Sequence, residues 1–345
     1  MTKLNTQSTV PVKTRTDWQY CEKILPEVSR TFALNIGALK GDTHKATLLG
    51  YLFFRIADTF EDNKFQNETQ KIKALLHFAD IFRGNKNLNE RLKLYKPLKL
   101  QWEDNSPEKD LLQNGDRAIR CYFDLPTIYR EIIDRHITLT SEGMAKFQKR
   151  KRDSSTEFFQ LQDINDLEEY CYYVAGVVGE MLTQIFSQQP DITTIKSQLE
   201  DHQIQFGLAL QMTNIMKDYQ KDIGRGWCYI PASITEICGI TLDKVKSLSV
   251  GQKRRILSEL TPIILSYFDS TLKYIKIIPV TQRAIRMFCI IPFVLAYNTL
   301  YHLVRMKGEK LSRGQVTALL TKCNSFAESN ELLEKDYLKI HRKLI

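Results

Sequence analysis

The stretch FFRIADTFED, residues 53–62, sets three acids in the tail of an apolar run that begins at Tyr51. The run has the composition of a helix, and at 100° per residue Asp58 and Asp62 share one face. Two like charges at that spacing repel by roughly a few tenths of a kcal/mol. Tyr51, Arg55, Asp58 and Asp62 step by 4, 3 and 4 and form one narrow polar stripe. Glu61 projects off that stripe and reads as solvated or as lying behind it.

A second acid-bearing helix follows in FGLALQMTNIMKDYQKD, residues 206–222. Gln211, Asn214, Asp218 and Asp222 step by 3, 4 and 4, while Leu208, Ala209, Leu210, Met212, Ile215 and Met216 surround them. A solvated helix face is broad and mixes Lys with Glu. These stripes are narrow and set among apolar residues. Buried carboxylates need compensating charge, and Arg55 can answer one of them. Hard divalent cations with oxygen ligands fit the remainder, and Mg²⁺ typically takes a few carboxylates plus substrate phosphates. There is no EF-hand loop and there are no Glu-x-x-His pairs of a di-iron bundle. Two facing Asp helices around Mg²⁺ imply a diphosphate between them, to which Arg30, Arg55, Lys217, Lys221 and Arg225 can respond. No P-loop and no G-x-G-x-x-G is present.

The rest of the chain predicts an all-α protein. Gly and Pro number only 15 and 10 in 345 residues, and strand-like alternation is rare. Helical patterning covers 17–38, 43–62, 68–83, 109–135, 138–150, 164–187, 192–222, 240–248, 251–276, 280–305 and 313–340. Residues 84–108 read as a loop, and 1–16 as a polar tail ahead of one domain over 17–345. The net charge of +9 calls for an anionic partner: phosphate, nucleic acid or an acidic membrane surface. No nucleic-acid-binding motif is visible, so no nucleic acid is expected. The seven cysteines are scattered without a C-x-x-C and read as reduced thiols of a cytoplasmic protein. The histidines are isolated, with no H-E-x-x-H, which excludes the common zinc hydrolases. The N-terminus lacks the apolar core of a signal peptide. MFCIIPFVLAY, 287–297, falls short of the ~20 residues of a bilayer span and contains Pro292. KFQKRKRD, 146–153, reads as a solvated helix end and turn, with contact to diphosphate or peripheral contact with an anionic membrane as the alternatives.

Four blocks, SRTFALNI (29–36), YLFFRIADTFED (51–62), YCYYVAGVVGEM (170–181) and QMTNIMKDYQKD (211–222), carry a family resemblance. In order and spacing they resemble the squalene/phytoene synthase family, head-to-head prenyl transferases of the isoprenoid synthase fold, across about residues 20–325. The resemblance implies a single-domain helical bundle with a central active-site cavity. It implies that Asp58, Asp62, Asn214, Asp218 and Asp222 hold Mg²⁺, and that the four aspartates and Tyr170 are catalytic. It assigns Ser29, Arg30, Thr31, Tyr51, Arg55, Gln211 and Lys217 to diphosphate or adjacent substrate. Tyr170, Val174, Val177 and Met181 share a face that would line the cavity, with Val174 against substrate. Gly176 and Gly179 lie on other sides, where small residues permit close helix packing.

FCIIPFVLA (288–296) and GMAKF (143–147) are similar to the squalene branch. That branch couples two farnesyl diphosphates through presqualene diphosphate and reduces the product with NADPH. Phytoene or dehydrosqualene synthesis without reduction is the alternative enzyme reading, and a silent member acting as a binding partner is the third. Lys221 stands where the family's D-x-x-E-D has Glu. Trp227 stands where the family often has Arg, with Arg225 two residues earlier. The chain ends EKDYLKIHRKLI, and no squalene-type C-terminal anchor is expected in it. Prenyl chain length, the NADPH site and oligomeric state stay open.

Overall fold

The computed structural model describes residues 12–100, 105–156, 158–305 and 310–345. The helices are α1 (Val12–Val28), α2 (Arg30–Ala38), α3 (Gly41–Asp62), α4 (Glu68–Phe82), α5 (Leu88–Tyr95), α6 (Pro107–Tyr122), α7 (Thr127–Arg152), α8 (Ile164–Cys171) and α9 (Val177–Phe186). They continue as α10 (Pro190–Thr193), α11 (Lys196–Glu200), α12 (Gln203–Gly224), α13 (Ala232–Ile237), α14 (Val250–Ile277), α15 (Arg283–Val304), α16 (Arg313–Glu328) and α17 (Asn330–His341). The all-α expectation holds. A two-residue parallel ladder, β1 (Phe159–Gln160) with β2 (Trp227–Cys228), is the one sheet among the described residues.

Helix boundaries depart from the periodicity where a polar residue caps a new start. Ser29 divides the expected helix 17–38 by accepting a hydrogen bond from the Phe32 amide at 3.3 Å. Asn87 and Glu90 form a capping box that starts α5, followed by a 3₁₀ turn at Lys96–Leu100, inside the segment 84–108 expected as loop. The division expected between 135 and 138 falls instead at Phe123–Pro126, and α7 runs unbroken to Arg152. The long helix 192–222 is interrupted before His202, 240–248 holds a 3₁₀ segment, and Ser329 separates α16 from α17. The expected polar tail reaches residue 16, yet α1 begins at Val12. Residues 1–11 lie outside the described residues.

Helix α3 runs through the core. Leu48, Leu49, Leu52, Phe53, Ile56, Ala57 and Phe60 are all fully buried, against α4, α6, α7 and α9. Each of the Leu, Ile and Phe side chains contributes about 1.5–3 kcal/mol by leaving water, which holds the acid-bearing end of α3 in place. Helix α12 crosses α9 and the preceding turn at backbone contact. A Cβ on Gly179 would lie 2.1 Å from the Gln203 carbonyl, and one on Gly207 would lie 2.3 Å from that of Ala175. The expectation of close packing at Gly179 is met, with Gly207 supplying the matching gap on α12.

Helix α15 is the one described helix long and apolar enough to cross a membrane, and 56% of that stretch is buried in the protein. Its Phe293 packs on Phe268 and Tyr297, as a core helix does. The basic run at the end of α7 is largely paired. Lys146 meets Glu169, Arg150 meets Asp166 at 2.5 Å, Lys151 meets Glu68 at 3.2 Å and Arg152 meets Asp153 at 2.8 Å. Lys146, Arg150 and Arg152 fit the solvated helix end read from sequence, whereas the Lys151 side chain is 14% exposed and lines a polar cavity. All seven cysteines are buried and free.

Candidate active site

The C-terminal half of α3 and the middle of α12 bring their polar stripes to one cavity of about 1080 Å³. Arg55, Asp58 and Asp62 line it from α3, and Gln211, Asn214, Lys217, Asp218 and Asp222 line it from α12. Tyr170 and Val174 complete the wall between them. Behind lies an apolar pocket of about 220 Å³, with Phe32, Tyr51, Phe54, Val178, Phe206 and Phe288 in its wall. Asp58, Val174, Gln211 and Asn214 belong to both walls. A charged chamber therefore gives directly onto a greasy one.

The other residues expected at the site are placed as follows. Tyr51 sits 5.4 Å from the ring of Phe32 in the apolar pocket. Ser29 acts locally as the cap of α2. The side chains of Arg30 and Thr31, the first residues of α2, lie outside those described. Arg55 is held by Glu108 at 2.9 Å, with Asp58 farther at 3.8 Å.

The expected face Tyr170, Val174, Val177 and Met181 is corrected. A π-helical turn at Tyr172–Gly176 shifts the register, so Val174, Val178 and Met181 line the apolar pocket. Val177 is fully buried instead.

Basic groups hold the carboxylates in the free chain. Lys217 and Lys221 sit 3.2 and 2.9 Å from Asp218. Burial would raise that carboxyl, but its lysine hydrogen bonds and charges hold it below the usual range. Lys221, at the position of the family's Glu, is thus an ion-pair partner of Asp218. Arg225 bridges the two helices, meeting Asp62 on α3 and Asp222 on α12, the latter at 2.5 Å. Burial nonetheless raises Asp222, with Arg225 opposing. Burial pushes Asp58 up to about 7, opposed by Arg55 and helped by Asp62.

Among the described residues no three His, Cys, Asp or Glu side chains converge closely enough to hold a metal by themselves. The donor set is carboxylate and carboxamide oxygen on two facing helices, which suits a hard cation completed by phosphate oxygens.

Of the two placements the sequence allows for Glu61, solvated or set behind the stripe, the structure has the second. The residue is 7% exposed and its Oε1 has no hydrogen-bond partner. Burial, then Asp62 and Asp58, push it up to about 8. A carboxyl raised on folding stabilises the protein below its unfolded pKa of about 4.5, and that stability is lost as pH rises through the folded value. Glu61→Gln in EDTA should therefore match the parent near pH 4. At pH 9 it should exceed the parent by on the order of a few kcal/mol in urea unfolding. A constant difference across that range would refute the buried neutral carboxyl.

Tyr170 is 4% exposed, stacks on Tyr229 at 4.4 Å and donates its hydroxyl hydrogen to the Tyr229 oxygen at 2.9 Å. Burial, then Glu61 and Tyr229, hold its hydroxyl well above the usual tyrosine range. Trp227 is 3% exposed, stacks on Tyr229 at 5.3 Å and lies 6.3 Å from the Tyr170 ring. It takes part in an aromatic stack where the family often places a base. The sequence reading does not find Tyr229, Glu108 or Lys71, while Lys151 belongs to the basic run 146–153. Tyr229 follows Trp227 by two residues, and strand alternation there is its one available signal.

Two acid-bearing helices facing across a cavity that gives onto an apolar pocket, in an all-helical bundle, define an isoprenoid synthase architecture. The chain belongs to the squalene/phytoene synthase family, whose model matches residues 25–321. It is an enzyme of that prenyltransferase family, whose reaction class is head-to-head prenyl condensation. Squalene synthase 3 of Panax ginseng is 28% identical over 327 residues, covering 90% of this chain and 71% of its own. Squalene synthase 1 of Arabidopsis thaliana is 29% identical over 314 residues, covering 87% and 68%. Among solved structures, TcSQS with the ligand BPH1237 superposes with a TM-score of 0.76 at 22% identity, covering 94% of this chain and 91% of that one. A dehydrosqualene synthase in complex with ligand gives 0.61 at 21% identity, covering 91% and 97%. At those identities the structures speak for the fold.

Proposed function

We propose that this chain is a Mg²⁺-dependent squalene synthase, joining two farnesyl diphosphates head to head to presqualene diphosphate and reducing that product to squalene with NADPH. The observation that carries the reading is the pair of joined chambers. Asp58, Asp62, Asn214, Asp218 and Asp222 line the polar one, and aromatic rings line the apolar one. The five acid and amide side chains would hold Mg²⁺, which neutralises a departing diphosphate as a Lewis acid. Arg55 and Lys217 add positive charge on the same wall, where diphosphate oxygens would lie. Gln211, shared by both chambers, marks the boundary where a prenyl C1 would sit. Phe32, Phe206 and Phe288 keep water from a carbocation and offer π-faces to it. Tyr170 would sit at the reaction centre, its proton retained by burial.

The test is product identification by mass, with purified protein, Mg²⁺ and farnesyl diphosphate, with and without NADPH. Squalene formed only with NADPH is the expected result. Dehydrosqualene in the presence of NADPH, or turnover of geranylgeranyl diphosphate alone, would replace the reading with the non-reducing one. No turnover of either diphosphate would make the chain a binding protein of the family.

A further inference from the structure

A groove of about 710 Å³ shares no lining residue with either chamber of the candidate active site. Its floor is α14 from Arg254 to Asp269, and Val304, Arg305, His341 and Leu344 stand in its other walls. At 1.5 Å per residue that floor is about 22 Å long. Pro262 lies inside α14 and lines the groove. It has no amide hydrogen, so the Ser258 carbonyl loses its usual donor one turn on. Beside it Thr261 is 3% exposed, and its Oγ1 has no hydrogen-bond partner. The two ends differ in charge. At one, Tyr337 donates to Asp269 at 2.8 Å and His341 lies 3.8 Å from the same carboxylate. At the other, Arg254 makes no ion pair or hydrogen bond among the described residues. Arg305 joins Arg254 there. The short link after α14 turns α15 antiparallel, and Phe293 lies 5.8 Å from Phe268. Arg305, about three turns beyond Phe293, therefore falls at the Arg254 end. Its Nη2 donates to the Lys343 carbonyl, which holds the guanidinium without cancelling its charge.

We propose that this groove binds a single-chain amphiphile with a phosphate or carboxylate head, the head on Arg254 and Arg305 and the chain along α14 toward Leu265. Guanidinium forks match either head in a bidentate way. Leu257, Leu265, Val304 and Leu344 give the chain an apolar bed. Thr261, about two turns from Arg254, supplies a hydroxyl with no competing acceptor for an ester or linker oxygen. Small-molecule sites run to about 300–1,000 Å³, so the volume suits one chain. The site stands apart from the aspartate stripes and does not rest on the proposed reaction.

Photo-crosslinking tests it, with dodecyl phosphate carrying a diazirine at the far end of its chain and tryptic peptides mapped by mass. The peptide 256–273 holds most of the groove floor and no lining residue of either chamber. Its labelling should saturate with probe and persist under excess farnesyl thiodiphosphate, which should clear any label from peptides of α3 and α12. Arg254→Met should raise the half-saturating concentration by about tenfold, the scale of a lost hydrogen bond to a charged group. Ser258→Trp changes an exposed wall position, fills the groove and should abolish the label on 256–273. Arg342→Met removes an exposed charge that is not in the wall and should stay within about twofold. The same probe with a carboxylate head should label comparably, and with a neutral hydroxyl at least about tenfold more weakly. No label on 256–273 would overturn the proposal. So would label that the thiodiphosphate clears, or label unchanged in folded Arg254→Met and Ser258→Trp.

Discussion

Asp218→Asn should lower turnover of farnesyl diphosphate by about 10²–10³-fold or more, a loss of roughly 3–4 kcal/mol of transition-state stabilisation. The substitution keeps size and hydrogen-bonding shape and removes one negative charge. Lys217 and Lys221 hold the Asp218 carboxyl below the usual range, while burial raises Asp222 on the same helix. Without it the proposed cation site would keep on α12 only Asn214 and Asp222, the latter with its carboxyl raised and its oxygen taken by Arg225. The same change should hardly affect stability. Both lysines reach solvent, with side-chain exposures of 25% and 65%, and such pairs contribute about 0–1 kcal/mol. The measurement is kcat by radiolabelled product release, beside a urea unfolding curve. Near-parental kcat would overturn the metal assignment on α12. A parallel fall in stability would show that Asp218 serves the fold.

The pairing of acid stripes is legible because two helical periods and a small set of residue types suffice for it. Asp58, Asp62, Asn214, Asp218 and Asp222 fall on one cavity, as their spacing along two helices requires. What escapes depends on departures from ideal geometry or on contacts distant in sequence. The π turn at Tyr172–Gly176 moves Val178 into the pocket and Val177 out of it, and a projection at 100° per residue has no means of detecting it. Glu61 lies off the stripe of α3, so the projection cannot tell water from a covering element there. Lys71 of α4, Arg225 and the Tyr170–Tyr229 pair lie around it, all on other elements. Glu108 belongs to a segment whose charge and prolines read as loop, yet Ser106 caps α6 there and aims Glu108 at Arg55. Lys71 carries no local signal that separates it from a surface base. Its burial follows from the packing of α4 on α7, which no local pattern encodes.

Arg286→Met should destabilise the protein by about 3–5 kcal/mol in urea unfolding, the scale for breaking a buried charged network. Arg286 is fully buried on α15 and is the largest wholly enclosed side chain among the described residues. No carboxylate compensates it among the described residues. Its donors reach carbonyl oxygens instead: Nε to Ala327 at 2.9 Å, and Nη1 to Ile275 at 2.9 Å and Ile278 at 2.7 Å. Nη2 reaches Phe326 at 3.3 Å and the side chain of Asn330 at 2.7 Å. These carbonyls lie at the C-termini of α14 and α16, where helix dipoles place partial negative charge and backbone acceptors lack partners. One guanidinium therefore caps two helices and fixes α15 between them. Methionine fills much of the volume, so the loss measures the orphaned carbonyls more than a cavity. Arg286→Lys keeps the charge but presents its three donors at a single point instead of along a planar fork. That variant should recover only part of the loss. Phe288 and Pro292, farther along α15, line the apolar pocket, so both variants should keep parental product identity where they remain folded. A loss under about 1 kcal/mol for Arg286→Met would mean that water reaches these helix ends once the guanidinium is gone.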